Sequence, residues 1–306
     1  MSTENVPPCF TDVRYRETLH NVPKAMAELL SSYSGIPKEK QIAHIKEVRD
    51  EAYAKYHYPC MGSFRFLDLD LARHTAYKEH VLAPLCAAQA PGKPEPLFLD
   101  CGTCLGQDLR KLVADGAPAR RMWASDIEPQ FIESGYKLFG DADKIPRDHF
   151  LCPGDLLAES SPEDKLTVLE DRVTILHITA VFHLFGLEDQ RRVVHRCLQL
   201  LRKDTGPDDP VLVVGAQVGC NYPGPYGGAH RYQHSPESWE AFWREVCAQP
   251  RWKDRVQDVM VRSKMYRRIR NDADPGAEEI ATLIEADLQT DERLWHMFEV
   301  WVTFKQ

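Results

Sequence analysis

A succession of short apolar runs, each followed by turn residues or a helical pattern, constrains this chain more than any other feature. Leu97-Phe-Leu-Asp100 reads as a buried strand, and the segment after it places Leu105, Leu109, Leu112 and Val113 on one helical face. Met122–Asp126 gives a second strand, followed by a helix over Pro129–Phe139, and His149–Cys152 gives a weak third strand. The β-branched run Val173-Thr-Ile-Leu-His-Ile178 precedes a helix over Glu188–Arg202 that turns Val193, Val194, Cys197, Leu198 and Leu201 inward. Val211-Leu-Val-Val214 is wholly apolar, as a strand covered on both faces must be. Such alternation predicts a doubly wound, mostly parallel sheet. The chain closes differently: a strand around Val256–Val261 precedes Leu294–Phe304, where Phe298, Val300, Val302 and Phe304 share one face. No long crossover helix comes directly before that last strand, although Ala277–Leu288 reads as a surface helix, so an antiparallel C-terminal hairpin is expected.

The first 92 residues have another character. Within 37–57, Ile42, Ile45, Val48, Ala52, Tyr53 and Tyr56 recur at helical spacing behind Pro37, a residue suited to a helix start. A second helix is expected over Leu69–Cys86. The link Ala90–Pro96 holds three prolines and a glycine in seven residues and cannot continue a helix. This divides the chain into a helical cap or lid, 1–92, and an α/β core, 93–306.

A formal net charge of −8 opposes nucleic acid as a partner, since phosphate binding needs an excess of Lys and Arg. The one basic run, Arg262–Arg270, is short and mixed with apolar residues; it reads as a solvated strand or turn, with a bound anionic group as the alternative. No segment approaches the roughly 20 apolar residues of a membrane span, and the N-terminus lacks a signal-peptide pattern. Nine irregularly spaced cysteines do not form a disulfide framework, so a reduced, cytoplasmic protein is expected. Cys101 and Cys104 make a Cys-x-x-Cys, but no second pair follows to complete four zinc ligands, and no metal is expected.

The run Leu97-Phe-Leu-Asp-Cys-Gly-Thr-Cys-Leu-Gly-Gln-Asp-Leu-Arg110 carries the first chemistry. A strand enters Asp100, and Gly102 and Gly106 punctuate the turn before a helix, where backbone free of Cβ can approach a ligand. Cys104 stands where a dinucleotide fingerprint has its middle glycine, and Asp100 would repel a phosphate while suiting an ammonium group. Asp126 ends the next strand 24 residues after Gly102, a position from which an acid accepts hydrogen bonds from ribose hydroxyls or caps the following helix. In Gly154-Asp155-Leu156-Leu157, Asp155 suits an adenine amino group or serves as a turn residue. His183, in the segment after the fourth strand, is the candidate general base, the competing role being a hydrogen-bonded histidine at a helix start. His177, inside the strand, reads as structural.

Leu-Asp-Cys-Gly-Thr-Cys-Leu-Gly-Gln-Asp-Leu-Arg-Lys, Ala-Ser-Asp-Ile-Glu-Pro-Gln-Phe-Ile, Gly-Asp-Leu-Leu and Val-Phe-His-Leu-Phe-Gly-Leu-Glu-Asp-Gln together resemble the fungal secondary-metabolite methyltransferases. The resemblance is nearest to those that methyl-esterify a carboxyl group in meroterpenoid biosynthesis, and it extends to 58–67 and Tyr232–Trp243. It implies a Rossmann-like class I methyltransferase fold, seven-stranded and mostly parallel with the antiparallel hairpin, beneath the N-terminal helical cap. It implies S-adenosylmethionine as cofactor, held by Asp100, Gly102, Thr103, Cys104, Gly106, Gln107, Asp126, Ile127, Gly154, Asp155, Leu156 and Ile178. The acceptor would be a small polyketide- or terpenoid-type acid or phenol near Phe64, Arg65 and Tyr226, and a homodimer is conceivable. Arg65 suits a carboxylate or an ordinary surface ion pair, and Gly219–Gly228 shapes the acceptor site or merely crosses it. Two rival readings remain: a pathway protein of the same fold without methyl transfer, and a nicotinamide-dependent oxidoreductase.

Overall fold

The computed structural model describes residues 15–306 except 90, 91, 93, 159, 160, 162, 207, 208, 228, 229, 271–280 and 287–293. Its N-terminal part is helical: α1 (Lys24–Ser32), α2 (Lys38–Lys55) and the short α3 (Pro59–Gly62). In α2, Gln41, Ile45, Val48, Arg49 and Ala52 are buried, the one-face spacing of an amphipathic helix. The helix expected over Leu69–Cys86 is shorter than its pattern. Turns occupy residues 69–76, and a π-helical segment, Tyr77–Leu82, runs into α4 (Ala83–Cys86). The cause is local competition: Leu71 N–H donates to the Asp108 carboxylate at 2.9 Å, outside any helical ladder.

The sheet is built by β1 (Phe98–Cys101), α5 (Gln107–Ala114), β2 (Met122–Ser125), α6 (Pro129–Phe139), β3 (Phe150–Leu151), β4 (Ile175–Ile178), α7 (Leu187–Leu200) and β5 (Val211–Gly219). A two-stranded hairpin, β6 (Gly224–Pro225) and β7 (Tyr232–Gln233), leads to α8 (Pro236–Cys247), then β8 (Val256–Arg270), β9 (Ala281–Glu285) and β10 (Leu294–Phe304). Pro129 opens α6 behind the capping side chain of Glu128, and Gly140 closes it in the left-handed conformation. The helix α8, not foreseen from periodicity, starts at a capping box in which Ser235 and Ser238 satisfy each other's backbone N–H groups.

The strand order is β3-β2-β1-β4-β5-β10-β8-β9, with β1 to β5 parallel and β10 antiparallel to both its neighbours. This is the Rossmann-like class I methyltransferase arrangement, extended to eight strands. The eighth corrects the expected surface helix. Ala281–Glu285 pairs with Tyr266–Arg270, while 277–280 and 287–288 lie outside the described residues. β8 runs nine residues past the expected Val261, and its free ladder groups draw in a segment carrying the β-branched Thr282 and Ile284.

Alternate residues of each strand enter different cores. Phe98, Ile175, Leu212 and Val214 pack with α5 and α6, whereas Leu99, Leu176, Ile178 and Val213 pack with α7 and α8. The N-terminal helices share a core with the α/β part: Met26, Leu29, Ile45 and Val48 cluster with Leu105, Phe131, Leu138 and Phe139.

One buried ion pair pins that junction. Arg110 Nε and Nη2 donate to Asp141 at 2.7 and 3.0 Å, both side chains are fully buried, and the Tyr33 hydroxyl donates to the same carboxylate at 2.7 Å. Arg110 also reaches Leu105 O at 2.7 Å. Replacing Asp141 strands a buried guanidinium. Asp141→Ala is expected to cost about 3–5 kcal/mol in urea unfolding, whereas Tyr33→Phe, which removes one hydrogen bond, costs about 1 kcal/mol.

Candidate active site

Register places Asp100 of β1 directly opposite His177 of β4, on the sheet face covered by α5 and the N-terminal segment. His177 Nδ1 lies 2.7 Å from Asp100 Oδ1, and Thr103 Oγ1 donates to Asp100 Oδ2 at 2.6 Å. His177 Nε2 meets Thr179 Oγ1 at 2.8 Å, and Thr179 Oγ1 accepts from Ala216 N–H at 3.1 Å. A hydrogen-bonded row thus crosses the carboxyl ends of β1, β4 and β5. Burial pulls the His177 imidazolium down, but the Asp100 carboxylate, assisted by Asp108, outweighs it and raises the group. Burial pushes Asp108 itself up to about 7, against the opposing pull of His177. Both Asp100 oxygens therefore serve the protein interior.

The loop after β1 hangs on the end of β2. Gly102 and Thr103 donate to Ser125 O at 2.8 and 3.0 Å, and Cys104 N–H donates to Asp126 Oδ2 at 2.8 Å. Gly102 has φ +70°, and a Cβ there would stand 2.5 Å from Val181 Cγ2. Cys104 adopts φ +54° without being glycine, so it fills the middle-glycine position in the same left-handed conformation. Its Sγ lies 3.8 Å from both Cys60 Sγ and Met61 Sδ of α3. Gln107 opens α5, and its buried Oε1 has no hydrogen-bond partner among the described residues.

Asp126 is 7% exposed and also accepts Glu128 N–H at 3.0 Å through Oδ1, with Ile127 N–H as a further backbone donor to the carboxylate. Burial raises its pKa to about 6, opposed by these backbone donors. Ile127, next in sequence, is 60% exposed, an apolar side chain left open beside a buried acid. Gly154 N–H donates to Asp126 O at 2.8 Å, and Asp155 Oδ1 accepts Leu157 N–H at 2.8 Å, which brings the third motif to the same edge.

Three expected site residues stand elsewhere. The Ile178 side chain is fully buried in the α7/α8 core, because strand alternation sends it to the face opposite Asp100 and His177. Leu156 packs in that core as well. Phe64, 1% exposed, lies in the cluster of the N-terminal helices with Arg49 4.0 Å over its ring. Arg65 is neither at the surface nor alone: Nη2 donates to Asp70 at 2.6 Å, and its guanidinium stacks 4.2 Å from the Trp295 ring centre.

His183 sits half-buried on a 3-10 turn, Phe182–Leu184, and its Nδ1 accepts Val218 N–H at 3.3 Å. Tyr226 follows β6, its N–H donating to Arg231 O at 2.9 Å, and β7 is tied to His183's turn through Tyr232 N–H donating to Phe185 O at 2.9 Å. Buried Gln190, unnoticed in the sequence, clamps that junction: its Nε2 donates to Phe185 O at 3.0 Å and Tyr232 O at 2.9 Å. Thr179 and Asp108 were equally unmarked, since nothing short of strand register reveals which polar residues meet. Among the described residues, no group of three or more His, Cys, Asp or Glu is placed to hold a metal ion.

The comparisons with known proteins meet this geometry. The family described as meroterpenoid methyltransferase N-terminal domain matches residues 14–67. The O-methyltransferase phiE of a fungal species is 33% identical over 242 residues, covering 76% of this chain and 75% of that protein. The methyltransferase trt5 of Aspergillus terreus is 32% identical over 239 residues, covering 77% of this chain and 80% of that one. The chain belongs to the fungal secondary-metabolite methyltransferases. The asnovolin E/chermesin D methyltransferase nvfJ of Aspergillus novofumigatus is 30% identical over 232 residues, covering 74% of this chain and 78% of that one. This fungal methyltransferase is therefore S-adenosylmethionine-dependent, and the nicotinamide reading falls away. No described helix is long and apolar enough to cross a membrane.

The Gly102 conformation yields a direct test. Gly102→Ala combines a left-handed backbone, about 1–2 kcal/mol, with the Val181 clash, about 1–3 kcal/mol. A destabilisation of about 2–4 kcal/mol is expected in urea unfolding. Adding Val181→Ala relieves only the steric part, which a double-mutant cycle reads.

Proposed function

We propose that this fungal enzyme methyl-esterifies a carboxyl group on a hydrophobic terpenoid- or polyketide-type small molecule, and that residues 93–306 bind the cofactor while 1–92 cap the acceptor. The observation that carries the carboxyl assignment is the hydrogen bond at His183. A ring nitrogen that accepts Val218 N–H is unprotonated, so the neutral imidazole keeps its proton on Nε2. In that tautomer Nε2 is the donor side of the ring. A donor orients an acceptor that is already ionised; a phenol would need a base. The names of the relatives support O-methyl transfer and a terpenoid-type acceptor, one being an O-methyltransferase and the matching domain being named for meroterpenoids.

The residues present fit S-adenosylmethionine. The buried Asp126 carboxylate, an acceptor at the end of β2, suits a ribose diol, and exposed Ile127 offers an apolar wall for the adenine, whose amino group Asp155 would receive. Gln107 Oε1, buried without a partner among the described residues, suits the methionine ammonium, with Gly102, Thr103, Cys104 and Gly106 lending backbone around it. Gly154 and Leu156 would contribute main chain below the adenine. Asp100 acts one step back: with Thr103 and His177 it holds the loop in place. The cofactor, when bound, supplies a methyl group on a sulfonium, whose departure leaves a neutral thioether.

The chain's own task is then positional. His183 Nε2–H fixes one acceptor oxygen and leaves the other to react. The Phe182–Leu184 turn, held by Gln190 and the β6–β7 hairpin, keeps that donor from drifting. Tyr226 on the hairpin and Arg65 beneath the N-terminal turns border the acceptor, and the cap excludes water.

His183→Gln, which keeps a side-chain N–H donor but cannot act as a base, is expected to retain kcat/KM within about tenfold, with His183→Ala falling further. A general base would cost roughly 10²–10⁴-fold in both variants, so equal losses of that size in initial-rate assays overturn the carboxyl reading. Tight cofactor binding without methylated product from any acid would instead favour the transfer-deficient alternative.

Protonation turns one Asp126 oxygen into a hydroxyl donor, so only the ionised carboxylate receives both ribose hydroxyls. Cofactor affinity should therefore be complete above pH 6 and fall about tenfold per unit as pH drops below about 6. Calorimetric titration from pH 5 to 7.5 reads this. Asp126→Asn should bind weakly with no such slope.

A further inference from the structure

One stretch of the N-terminal segment straddles the corner at Asp126. Lys55 Nζ donates to Gln130 Oε1 at 2.6 Å, and the Tyr56 and Tyr58 rings lie 5.8 and 6.0 Å from that of Phe131, so this stretch rests on the start of α6. Just beyond, Cys60 Sγ and Met61 Sδ each lie 3.8 Å from Cys104 Sγ. Cys104 and Glu128 both give their N–H groups to Asp126. Tyr58 stands in sequence between the contact with α6 and the contact with the loop after β1.

Its position is fixed by backbone. Pro59 opens α3 with a preset φ, Tyr58 O accepts the N–H groups of Met61 and Gly62 at 3.0 and 3.1 Å, and Tyr58 N–H donates to Tyr56 O at 2.7 Å. The ring is half-buried. Burial raises the hydroxyl above its usual range, and Cys60, Cys104 and Asp126 raise it further, so it remains a donor. The hydroxyl thus sits in the field of Asp126, yet it makes no hydrogen bond among the described residues. Tyr33, Tyr77 and Tyr136 give theirs to Asp141, Asp115 and Ile145 O. A missing partner alone marks nothing, because the hydroxyls of Tyr232 and Tyr266 share it. The surroundings decide. A group that accepts from the phenol and donates to the carboxylate satisfies both at once, and a ribose hydroxyl is such a group.

We propose that Tyr58 is a cofactor-binding residue contributed by the cap, its hydroxyl donating to a ribose hydroxyl of S-adenosylmethionine that in turn donates to Asp126. The inference rests on the ribose reading of Asp126 above and changes its division of labour. The cofactor then touches residues 1–92 as well as 93–306. Seating the segment that covers the acceptor and binding the cofactor become one linked equilibrium.

The test uses the full chain and reads binding without turnover, by calorimetric titration with S-adenosylhomocysteine and with 5′-methylthioadenosine, which keeps the nucleoside and lacks the amino-acid end. Tyr58→Phe retains the ring and its contact with Phe131, so the thermal midpoint of the ligand-free protein is expected to stay unchanged. Loss of one hydrogen bond should weaken both ligands by the same factor, about three- to tenfold. Hydrogen exchange gives a second reading: S-adenosylhomocysteine should slow the amides of 55–62 in wild type, and less so in Tyr58→Phe at equal saturation. Asp126→Asn is the control for the ribose site. A Tyr58→Phe protein that binds both ligands as wild type does, while Asp126→Asn binds them weakly, overturns this inference and leaves the ribose reading standing. A loss confined to S-adenosylhomocysteine places the contact at the amino-acid end and overturns it too. Unchanged affinity in Asp126→Asn overturns both.

Discussion

The cross-strand pair of Asp100 and His177 is the interaction on which the arrangement of this site depends. Two ionisable groups shut away from water are tolerated only when each satisfies the other. Here the parallel register of β1 and β4 brings them to 2.7 Å, and Thr103 and Thr179 take up what remains of each. Because Thr103 lies in the loop after β1 and Thr179 begins the segment that carries His183, one buried pair sets the relative position of that loop and that turn. The second anchor, Asp126, binds the same loop at Cys104. The loop is thereby held from two strands before any ligand arrives, as preorganised transfer requires.

The N-terminal segment is joined to the sheet by polar contacts of very different kinds. Arg110, Asp141 and Tyr33 form a closed set in which every charge is matched and hidden. Leu71 N–H is bound by Asp108, an acid poised near neutrality. Arg65, Arg73 and Arg268 meet Asp68 and Asp70 in a partly exposed ionic network.

Much of the sheet was legible because parallel strands covered on both faces must be mostly apolar, and Phe98–Cys101, Ile175–Ile178 and Val211–Val214 fit that pattern with Asp100 and His177 as the polar exceptions. The C-terminal region was harder. The basic alternation from Arg262 to Arg270 hides a strand whose edge partner, β9, is five residues long and carries too little pattern to outweigh a helical reading. For the site, spacing singled out the loop, Asp126 and Asp155, which the fold brings to neighbouring strand ends, while alternation within β4 turns the Ile178 side chain into the α7/α8 core and the αL turn at Phe64 sends that ring into the helical core. Arg268 was visible only as one of a run of cations; nothing in sequence distinguishes it from Arg262 or Arg267, which stay exposed.

The position of β9 at the edge of the sheet has a consequence for how such enzymes diversify. In the order β3-β2-β1-β4-β5-β10-β8-β9, the strands that carry Asp100 and Asp126 lie in one half and β9 terminates the other. An edge strand answers to a single neighbour, so insertions or changes in its loops disturb one ladder and leave Asp100, Asp126 and Asp155 untouched. Under the proposed cofactor site, this margin can be rewritten for a new acceptor without breaking the interlocked hydrogen bonds of the half that would hold the methyl donor.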